Sequence, residues 1–205
     1  MKFIKEWVLP LAIGLAIALI VRTFLFTVVR VDGTSMEPNL QNNELVFESK
    51  ISSYTRGDVV VFDATHEDPA NDGTAKDYVK RIIGVGGDTV SFQDGKLYVN
   101  NKEVNQNFLP TANKTTGTAG TFGNTWSLGT LSKNASWQTK DRNKVKVPKG
   151  MYFVLGDNRA VSNDSRTFGF VEKQHILGKV YAPIWNTDAT ARKNINKQAD
   201  DFFVK

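Results

Sequence analysis

Residues 77–99, DYVKRIIGVGGDTVSFQDGKLYV, decide the fold class of this chain. The stretch contains a long apolar run, Asp77–Val85, and two short alternating runs, Thr89–Phe92 and Lys96–Val99. Asp94-Gly95 lies between the two short runs, and such a pair is typical of a type I′ hairpin turn because both residues tolerate positive φ angles. The stretch therefore predicts a strand, a glycine turn and a β-hairpin in succession.

Further short apolar runs, separated by turn residues, lie on both sides of this stretch. They are Glu44–Glu48, Asp58–Asp63, Lys144–Val147, Met151–Leu155 and His175–Tyr181. Short strands at this spacing are typical of an all-β domain. The sequence therefore predicts a mainly β fold.

Two polar segments differ from this pattern. Residues 101–141 are rich in Asn, Thr, Gly and Lys with isolated aromatic residues, which predicts an extended insertion lying over the core. Residues 187–205 form a charged, helix-compatible tail with little to bury beyond its last aromatic residues. We assign this tail no function.

The N-terminal segment 7–29, WVLPLAIGLAIALIVRTFLFTVV, is apolar except for Arg22 and two threonines. A helix of this length spans roughly 34 Å, which is enough to cross the hydrocarbon core of a bilayer. No A-x-A-like cleavage site follows it, so we predict an uncleaved membrane anchor. The basic segment 1–6 favours a cytoplasmic N-terminus, which places residues 30–186 on the extracytoplasmic side.

Composition excludes several kinds of chemistry. The 205-residue chain contains no cysteine, so disulfides, thiolate nucleophiles and cysteine-based metal sites are impossible. Its net charge of +5 is spread along the chain rather than gathered in one basic run. This distribution argues against nucleic-acid binding and predicts only a mild attraction to anionic lipid.

A candidate nucleophile follows the predicted anchor directly. In RVDGTSMEPNL, residues 30–40, Gly33 permits a sharp turn and Pro38 breaks regular structure, which places Ser35 on a loop close to the membrane. Alone, such a serine is usually a turn former that bonds its own backbone.

A candidate base lies in the long strand of the opening stretch. Alternation places Lys80 and Arg81 on opposite faces, so one of these two cations is expected to face the core. A lysine on an edge strand can also snorkel to water. A buried lysine differs, because lowering its pKa from ~10.4 to about 7–8 takes roughly 3–5 kcal/mol and yields a neutral amine that can take a serine proton.

A third segment, residues 152–171, YFVLGDNRAVSNDSRTFGFV, places two Asp, two Asn, two Arg and two Ser between apolar runs. This density of hydrogen-bonding groups is typical of a rigid polar scaffold. A solvated loop with local Asx turns is the alternative that composition leaves open.

These segments together resemble a known family. GTSMEP (33–38), YVKRIIGVGGD (78–88) and GDNRAVSNDSRTFG (156–169) resemble, in order, the sequence boxes of bacterial type I signal peptidases, and RGDVVVF (56–62) resembles a further box. The resemblance runs from the anchor to about Ala182. It implies a signal-peptidase-like, β-rich catalytic domain with one N-terminal transmembrane helix.

The resemblance also implies roles for single residues. Ser35 would attack the scissile carbonyl, and Lys80 would accept its proton and later protonate the leaving amine. Met36 matches a substrate-lining position, and Ser162 matches a serine that orients the lysine amine. Supporting roles in the same loop are implied for Gly156, Asp157, Asn158, Arg159 and the ion pair of Asp164 with Arg166.

Gly33 separates this chain from the Gram-negative branch of the family, which has an oxyanion-stabilising hydroxyl at that position. The chain resembles the Gram-positive branch better. Its oxyanion hole would then rest on backbone N–H groups, chiefly that of Ser35, and the second donor stays unassigned.

The implied substrates are exported preproteins with small residues at −1 and −3 before the cut. The implied partners are therefore preprotein signal peptides and membrane lipid, close to the protein export channel. The resemblance implies no cofactor and no metal.

Three other functions fit parts of the sequence less well. His66 and His175 suggest a conventional triad, but no G-x-S-x-G motif accompanies them. A self-cleaving Ser-Lys repressor would carry a helix-turn-helix in place of the anchor. An inert relative that binds precursors would have no need to keep both Ser35 and Lys80.

Overall fold

The computed structural model describes residues 4–185 and 188–205. It begins with one long helix, α1 (Ile4–Leu25), which is long and apolar enough to cross a membrane and has no buried residue. The first half of the predicted segment 1–6 lies outside the described residues, as does the boundary predicted between residues 186 and 187.

The helix ends four residues before the predicted end of the anchor. Phe26–Arg30 forms a strand instead, paired along its whole length with Leu45–Ser49. This segment contains Thr27, Val28 and Val29, and β-branched residues favour strands over helices. The chain therefore enters a sheet directly as it leaves the helix.

Eleven strands follow the helix in the described residues. They are β1 (Phe26–Arg30), β2 (Leu45–Ser49), β3 (Val59–Asp63), β4 (Asp77–Val85), β5 (Val90–Gln93), β6 (Lys96–Val99), β7 (Lys102–Glu103), β8 (Trp126–Ser127), β9 (Met151–Leu155), β10 (Val171–Glu172) and β11 (Ile176–Tyr181). Short helices are α2 (Leu128–Leu131), α3 (Ser165–Phe168) and α4 (Ala189–Asn196), and single turns lie at Asn113–Gly117, Gly120–Phe122, Thr139–Asp141, Lys173–His175 and Gln198–Asp201. The predicted mainly β fold with one N-terminal helix is confirmed.

The strands form two antiparallel sheets. The larger has the order β1-β2-β11-β3-β4-β9-β10, and the smaller has the order β7-β6-β5-β8. Strand β4 lies inside the larger sheet, where Lys80 is opposite Val60 and Arg81 is opposite Val59 of β3. Because β4 continues through a glycine turn into β5, the long apolar run of the opening stretch connects the two sheets.

The predicted hairpin is confirmed. Gln93 pairs with Lys96, and Asp94 and Gly95 have φ angles of 52° and 75°. The strand predicted at Lys144–Val147 is wrong. In this segment only Val147 is buried. Its N–H donates to the Asp88 carbonyl and its carbonyl accepts from the Gly87 N–H, each at 2.8 Å, and the segment forms no strand.

The segment 101–141 places two of its isolated aromatic side chains, Trp126 and Trp137, in the core, and its character as an insertion stays a prediction. Trp126 and Trp137 are 2% and 1% exposed. The Trp126 ring stacks on Phe92 with centroids 5.7 Å apart, and the Trp137 ring meets Phe170 edge-on at 5.1 Å. The polar composition of the segment belongs to its exposed turns.

The C-terminal segment also buries more than predicted. Helix α4 begins after Asp188, whose side chain caps it, and buries Ile195. Phe202 is 5% exposed, and Phe203 forms a bridge with Val104. The described part of the tail is therefore packed against the domain.

Gly178 on β11 tests the close packing of this sheet. A Cβ at this position would lie 2.5 Å from Glu48 Cγ and 2.8 Å from the Ser49 carbonyl oxygen. We expect Gly178→Ala to lower the free energy of unfolding by about 1–3 kcal/mol, measured by urea denaturation of the full chain in detergent micelles. Gly129→Ala is the control, because its Cβ would find ordinary room beside Val145; equal stability losses in both variants would contradict this reading.

Candidate active site

Ser35 lies in the loop after β1, where Gly33 takes a φ angle of 88°. The Ser35 carbonyl accepts a 3.0 Å hydrogen bond from the Asn158 backbone N–H, and the Thr34 carbonyl accepts a 3.2 Å bond from Asn158 Nδ2. Both bonds hold the loop by its backbone. Neither bond involves the Ser35 hydroxyl, which is available for a different partner.

That partner is Lys80 on β4. The Lys80 ammonium donates to Ser35 Oγ at 2.8 Å and to the Val79 carbonyl at 3.1 Å. The same nitrogen lies 4.9 Å from the centre of the Tyr78 ring. Lys80 is 3% exposed. The structure therefore brings together the two residues that the sequence singled out as nucleophile and base.

Burial lowers the pKa of Lys80 to about 8. The carboxylates of Asp164 and Asp157 act in the opposite direction, and the nearby Lys76 charge lowers the pKa further. An amine with this pKa is partly neutral near neutral pH, and a neutral amine can accept a proton from a hydroxyl within hydrogen-bond distance. The pair is chemically capable of general base catalysis.

Arg81, the next residue along β4, is buried as well. The sequence predicted that one of the two adjacent cations would face the core; both side chains are buried, with Lys80 3% exposed beside the cleft and Arg81 fully buried. Arg81 forms a bidentate ion pair with Asp157, with Nε and Nη2 at 2.8 and 2.7 Å from the two carboxylate oxygens. Its Nη1 donates to the carbonyls of Gly57 and Asn194. The two residues differ because Arg81 has a carboxylate partner, whereas Lys80 forms no ion pair with another described residue.

Asp164 and Arg166 form the second buried pair, as the resemblance implied. Arg166 Nε and Nη2 lie 2.9 Å from the two oxygens of Asp164. Burial alone would raise the pKa of Asp164, but the Arg166 charge and its hydrogen bonds lower that pKa below its ordinary value. The Gly156 N–H also donates to this carboxylate, so the pair holds both ends of the loop.

Arg159 is buried in the same loop without a carboxylate partner among the described residues. It donates to the Gly156 carbonyl, to Gln106 Oε1 at 2.6 Å and to Thr118 Oγ1 at 2.9 Å. Burial and the nearby Arg166 charge lower the pKa of Arg159 to about 9. Two of the acceptors of Arg159, Gln106 and Thr118, belong to the segment 101–141.

Ser162, implied by the resemblance to orient the lysine amine, forms no hydrogen bond with Lys80. Its Oγ is buried without a hydrogen-bond partner in the described part of the chain. This hydroxyl occupies the space in which Gly156 would carry a Cβ, since a Cβ there would lie 2.2 Å from it. The Val79 carbonyl takes the second contact of the Lys80 nitrogen, so the orienting role of Ser162 stays a prediction.

Met36, implied to line the substrate site, is fully buried. It packs in a cluster with Val31, Leu40 and Val61 beneath the loop. The structure therefore places Met36 in the core under Ser35, and does not place it on the surface of the cleft.

A cleft of about 530 Å³ opens beside Ser35 and Lys80. One wall is the end of β1 and the loop after it, and the other wall is the start of β4. The lining residues are Val29, Arg30, Asp32, Gly33, Ser35, Val61, Ala75, Lys76, Asp77, Tyr78, Val79, Lys80 and Asn163. Among the described residues, no group of three or more His, Asp or Glu side chains could hold a metal ion.

Asn39 is a site residue that sequence reasoning missed. It is 2% exposed, and its Nδ2 donates to Asp157 Oδ2 at 2.8 Å and to the Phe108 carbonyl at 3.0 Å. Asn39 therefore ties the loop of Ser35 to Asp157. Sequence carries no signal for this role, because an Asn after a proline is typical of an ordinary turn.

The chain is similar to known proteins over most of its length. A family model described as "Signal peptidase, peptidase S26" matches residues 4–185. Signal peptidase I of Bacillus licheniformis is 36% identical over 178 residues, which cover 84% of this chain and 84% of that protein. Signal peptidase IB of Staphylococcus aureus strain COL is 36% identical over 188 residues, which cover 90% of this chain and 91% of that protein. The crystal structure of a signal peptidase I from Enterococcus faecalis V583 is 33% identical and covers 63% of this chain and 97% of that chain, with a TM-score of 0.48.

The Arg81–Asp157 pair yields a test of what holds the site together. Asp157→Ala leaves the Arg81 charge buried and unpaired, so we expect the free energy of unfolding to fall by about 3–5 kcal/mol in urea denaturation of the full chain. The control is Lys96→Ala, which breaks the exposed pair with Glu103 and should leave stability unchanged. A similar stability for Asp157→Ala and Lys96→Ala would show that the buried pair does not hold the site.

Proposed function

The chain belongs to the signal peptidase family, peptidase S26, and from this premise we propose that it is a membrane-bound serine endopeptidase with Ser35 as nucleophile and Lys80 as general base. Family membership makes it a peptidase that removes signal peptides from preproteins. Its matched relatives come from Bacillus and Staphylococcus, which confirms the resemblance to the Gram-positive branch. The observation that carries the proposed dyad is the 2.8 Å contact between the two side chains.

The proposed reaction has two stages. Neutral Lys80 takes the hydroxyl proton of Ser35 as Oγ bonds to the scissile carbonyl carbon, and the resulting ammonium gives that proton to the leaving amine as the C–N bond breaks. Water then attacks the acyl ester at Ser35. Lys80 takes the proton of this water and returns it to Oγ as the ester bond breaks.

We propose the Ser35 backbone N–H as the chief oxyanion donor. It has no acceptor within the protein in the described residues, whereas the Gly33 N–H is already engaged by Asn42 Oδ1. Backbone donors held in place before the reaction stabilise a developing negative charge strongly. The bonds from Asn158 to the Ser35 loop would keep this donor fixed.

The supporting loop acts, in this proposal, by holding both reactive groups. Asp157 pairs with Arg81 beside Lys80, and Asn158 holds the carbonyl of Ser35. The Asp164–Arg166 pair and the buried Arg159 fix the remainder of the loop. None of these side chains is proposed to react.

The proposed substrate lies extended in the cleft between the end of β1 and the start of β4. One edge of β1 has no partner strand in the described residues, because β1 ends the larger sheet. Backbone hydrogen bonds to such an edge hold a peptide without demanding particular side chains. We propose that small residues at −1 and −3 of the substrate fit between these two walls, as A-x-A-like cleavage sites require.

We propose that α1 spans the cell membrane with its N-terminus in the cytoplasm and the catalytic domain, residues 30–186, outside. An exposed apolar surface beside the end of α1 favours contact of the domain with lipid. Its members are Phe26, Phe47, Ile51, Tyr181, Ile184 and Trp185. Anchoring would present Ser35 at the depth at which a preprotein leaves the export channel.

The proposed mechanism requires neither cofactor nor metal, and it involves no nucleic acid. Preprotein signal peptides are the substrates, and membrane lipid and the neighbourhood of the export channel are the proposed setting. We propose that residues 101–141 are a region in which members of the family vary in length.

The dyad is tested by cleavage of a purified preprotein with the detergent-solubilised full chain. We expect Ser35→Ala and Lys80→Ala to lower kcat by at least about 10³-fold, with product N-termini of the wild type placed after an A-x-A-like site by mass spectrometry. Lys80→Arg should also fail, because guanidinium stays protonated near neutral pH. EDTA should have no effect.

Ser53→Ala and Lys144→Ala are matched controls, since both residues are exposed and neither lines the cleft. They should cleave as the wild type does. Equal inactivity of folded wild type and variants toward several preproteins would instead favour a binding module, and inhibition by EDTA would count against the dyad.

The pH dependence of kcat follows from the lowered pKa of Lys80. With this pKa at about 8, roughly one tenth of the amine is neutral at pH 7 and about nine tenths at pH 9. We therefore expect kcat to rise with pH through a midpoint near 8 and then level off, measured by steady-state cleavage of a synthetic signal peptide. A rate that is flat between pH 6 and pH 9 would contradict general base catalysis by Lys80.

A further inference from the structure

Asp68 is a buried acid close to the cleft that the proposed mechanism does not use. It is 5% exposed and forms no ion pair with another described residue. Its Oδ2 accepts two hydrogen bonds, from the Tyr78 hydroxyl at 2.9 Å and from Asn163 Nδ2 at 2.6 Å. Its Oδ1 accepts one local bond, from the Ala70 N–H at 3.0 Å.

The two donors to Oδ2, like Lys80, line the cleft. Tyr78 precedes Lys80 by two residues on the same face of β4, and its ring centre lies 4.9 Å from the Lys80 nitrogen. Asn163 belongs to the loop between Ser162 and Asp164 and lines the cleft. One carboxylate oxygen therefore joins the strand of the base to the loop that surrounds it.

The segment that carries Asp68 is itself held firmly. The neighbouring Glu67 is fully buried and accepts hydrogen bonds from His175 Nδ1, in the turn before β11, and from the Glu172 N–H of β10. The Asp68 N–H donates to the Ala64 carbonyl at 3.1 Å. Oδ2 is thus presented from a fixed support, so its two long-range bonds can restrain the groups they reach.

We propose that Asp68 is a positioning residue of the active site, which holds the Tyr78 ring and Asn163 against Lys80 and so fixes the amine at its distance from Ser35. This inference rests on the proposed dyad. It adds a residue that does not touch the reacting atoms and acts through two others. A charge-assisted bond from a neutral donor to a buried carboxylate is strong enough for this restraint.

Asp68→Asn separates the local bond of Asp68 from the two bonds across the cleft. The retained amide oxygen can still accept from the Ala70 N–H, but an NH₂ group replaces Oδ2 and cannot accept from Tyr78 or Asn163. Asp72→Asn is the matched control. Asp72 is an exposed aspartate of the same segment, and it accepts local hydrogen bonds from the N–H and hydroxyl of Thr74.

We expect Asp68→Asn to lower kcat about ten-fold while KM changes less than two-fold, because small misplacements of catalytic groups reduce rate more than binding. The charged groups that shift the pKa of Lys80 are Asp164, Asp157 and Lys76. Tyr78 lies beside its amine, and Arg30, Asp32 and Asp77 line the same cleft. Asp68 is not among the causes that shift the pKa of Lys80, so its charge has little direct effect. A loosened Tyr78 ring would admit water, and the midpoint of the kcat profile should then move to higher pH.

Tyr78→Phe provides a second variant, because it keeps the ring and removes one donor to Asp68. Tyr78→Phe should shift the midpoint of the kcat profile to higher pH, as Asp68→Asn does. The double variant should be no slower than Asp68→Asn alone, because both substitutions break the same hydrogen bond between Tyr78 and Asp68. A kcat reduced without a shift in midpoint would mean a purely structural role and would overturn the proposal. A wild-type profile for Asp68→Asn, in an enzyme that still depends on Ser35 and Lys80, would refute this inference alone, whereas loss of that dependence would refute the dyad first.

Discussion

The alternation of side chains along β4 is the constraint on which the site depends. Because neighbouring residues of a strand face opposite ways, Lys80 and Arg81 meet different surroundings although both are buried. Lys80 reaches Ser35, whereas Arg81 reaches Asp157 on the other loop. The backbone of Asn158, next to Asp157, then holds the Ser35 carbonyl. A single dipeptide of one strand therefore supplies the base and, through two further contacts, fixes the position of the nucleophile.

The segment 101–141 also supports this arrangement, through hydrogen bonds to the loop that follows β9. Gln106 and Thr118 accept hydrogen bonds from Arg159, and the Trp137 indole donates to the Arg166 carbonyl at 3.1 Å. Neutral acceptors satisfy most of a buried guanidinium without bringing another negative charge near Lys80. A carboxylate partner would compensate Arg159 better, but it would also favour the protonated amine. The amides and hydroxyls of this segment therefore suit an active site that needs a neutral lysine.

Local patterns predicted the parts of the fold that depend on local chemistry. The Asp94-Gly95 turn of the hairpin was predicted correctly, and the strands Asp77–Val85 and Met151–Leu155 were correct to the residue. Alternation and turn residues act over only a few positions, so a local pattern is enough to find them. The parts that failed depend on distant partners. Phe26–Arg30 leaves the helix because Leu45–Ser49 pairs with it, and Trp126 and Trp137 enter the core because both sheets are present to receive them.

The candidate site divides in the same way. Ser35 and Lys80 were identifiable from sequence boxes, and the structure places their side chains in contact. The surroundings of Met36, Ser162 and Asn39 were not identifiable, because each depends on which loop lies above it. Two carboxylates, those of Asp164 and Asp157, raise the pKa of Lys80, yet each is bound in a bidentate pair with its own arginine. A carboxylate beside a guanidinium acts at a distance as a dipole rather than as a full charge, so its attraction for the ammonium falls off faster with separation. Arg81 and Arg166 therefore let the loop keep two buried acids close to Lys80 while burial still dominates, and the amine can lose its proton near neutral pH.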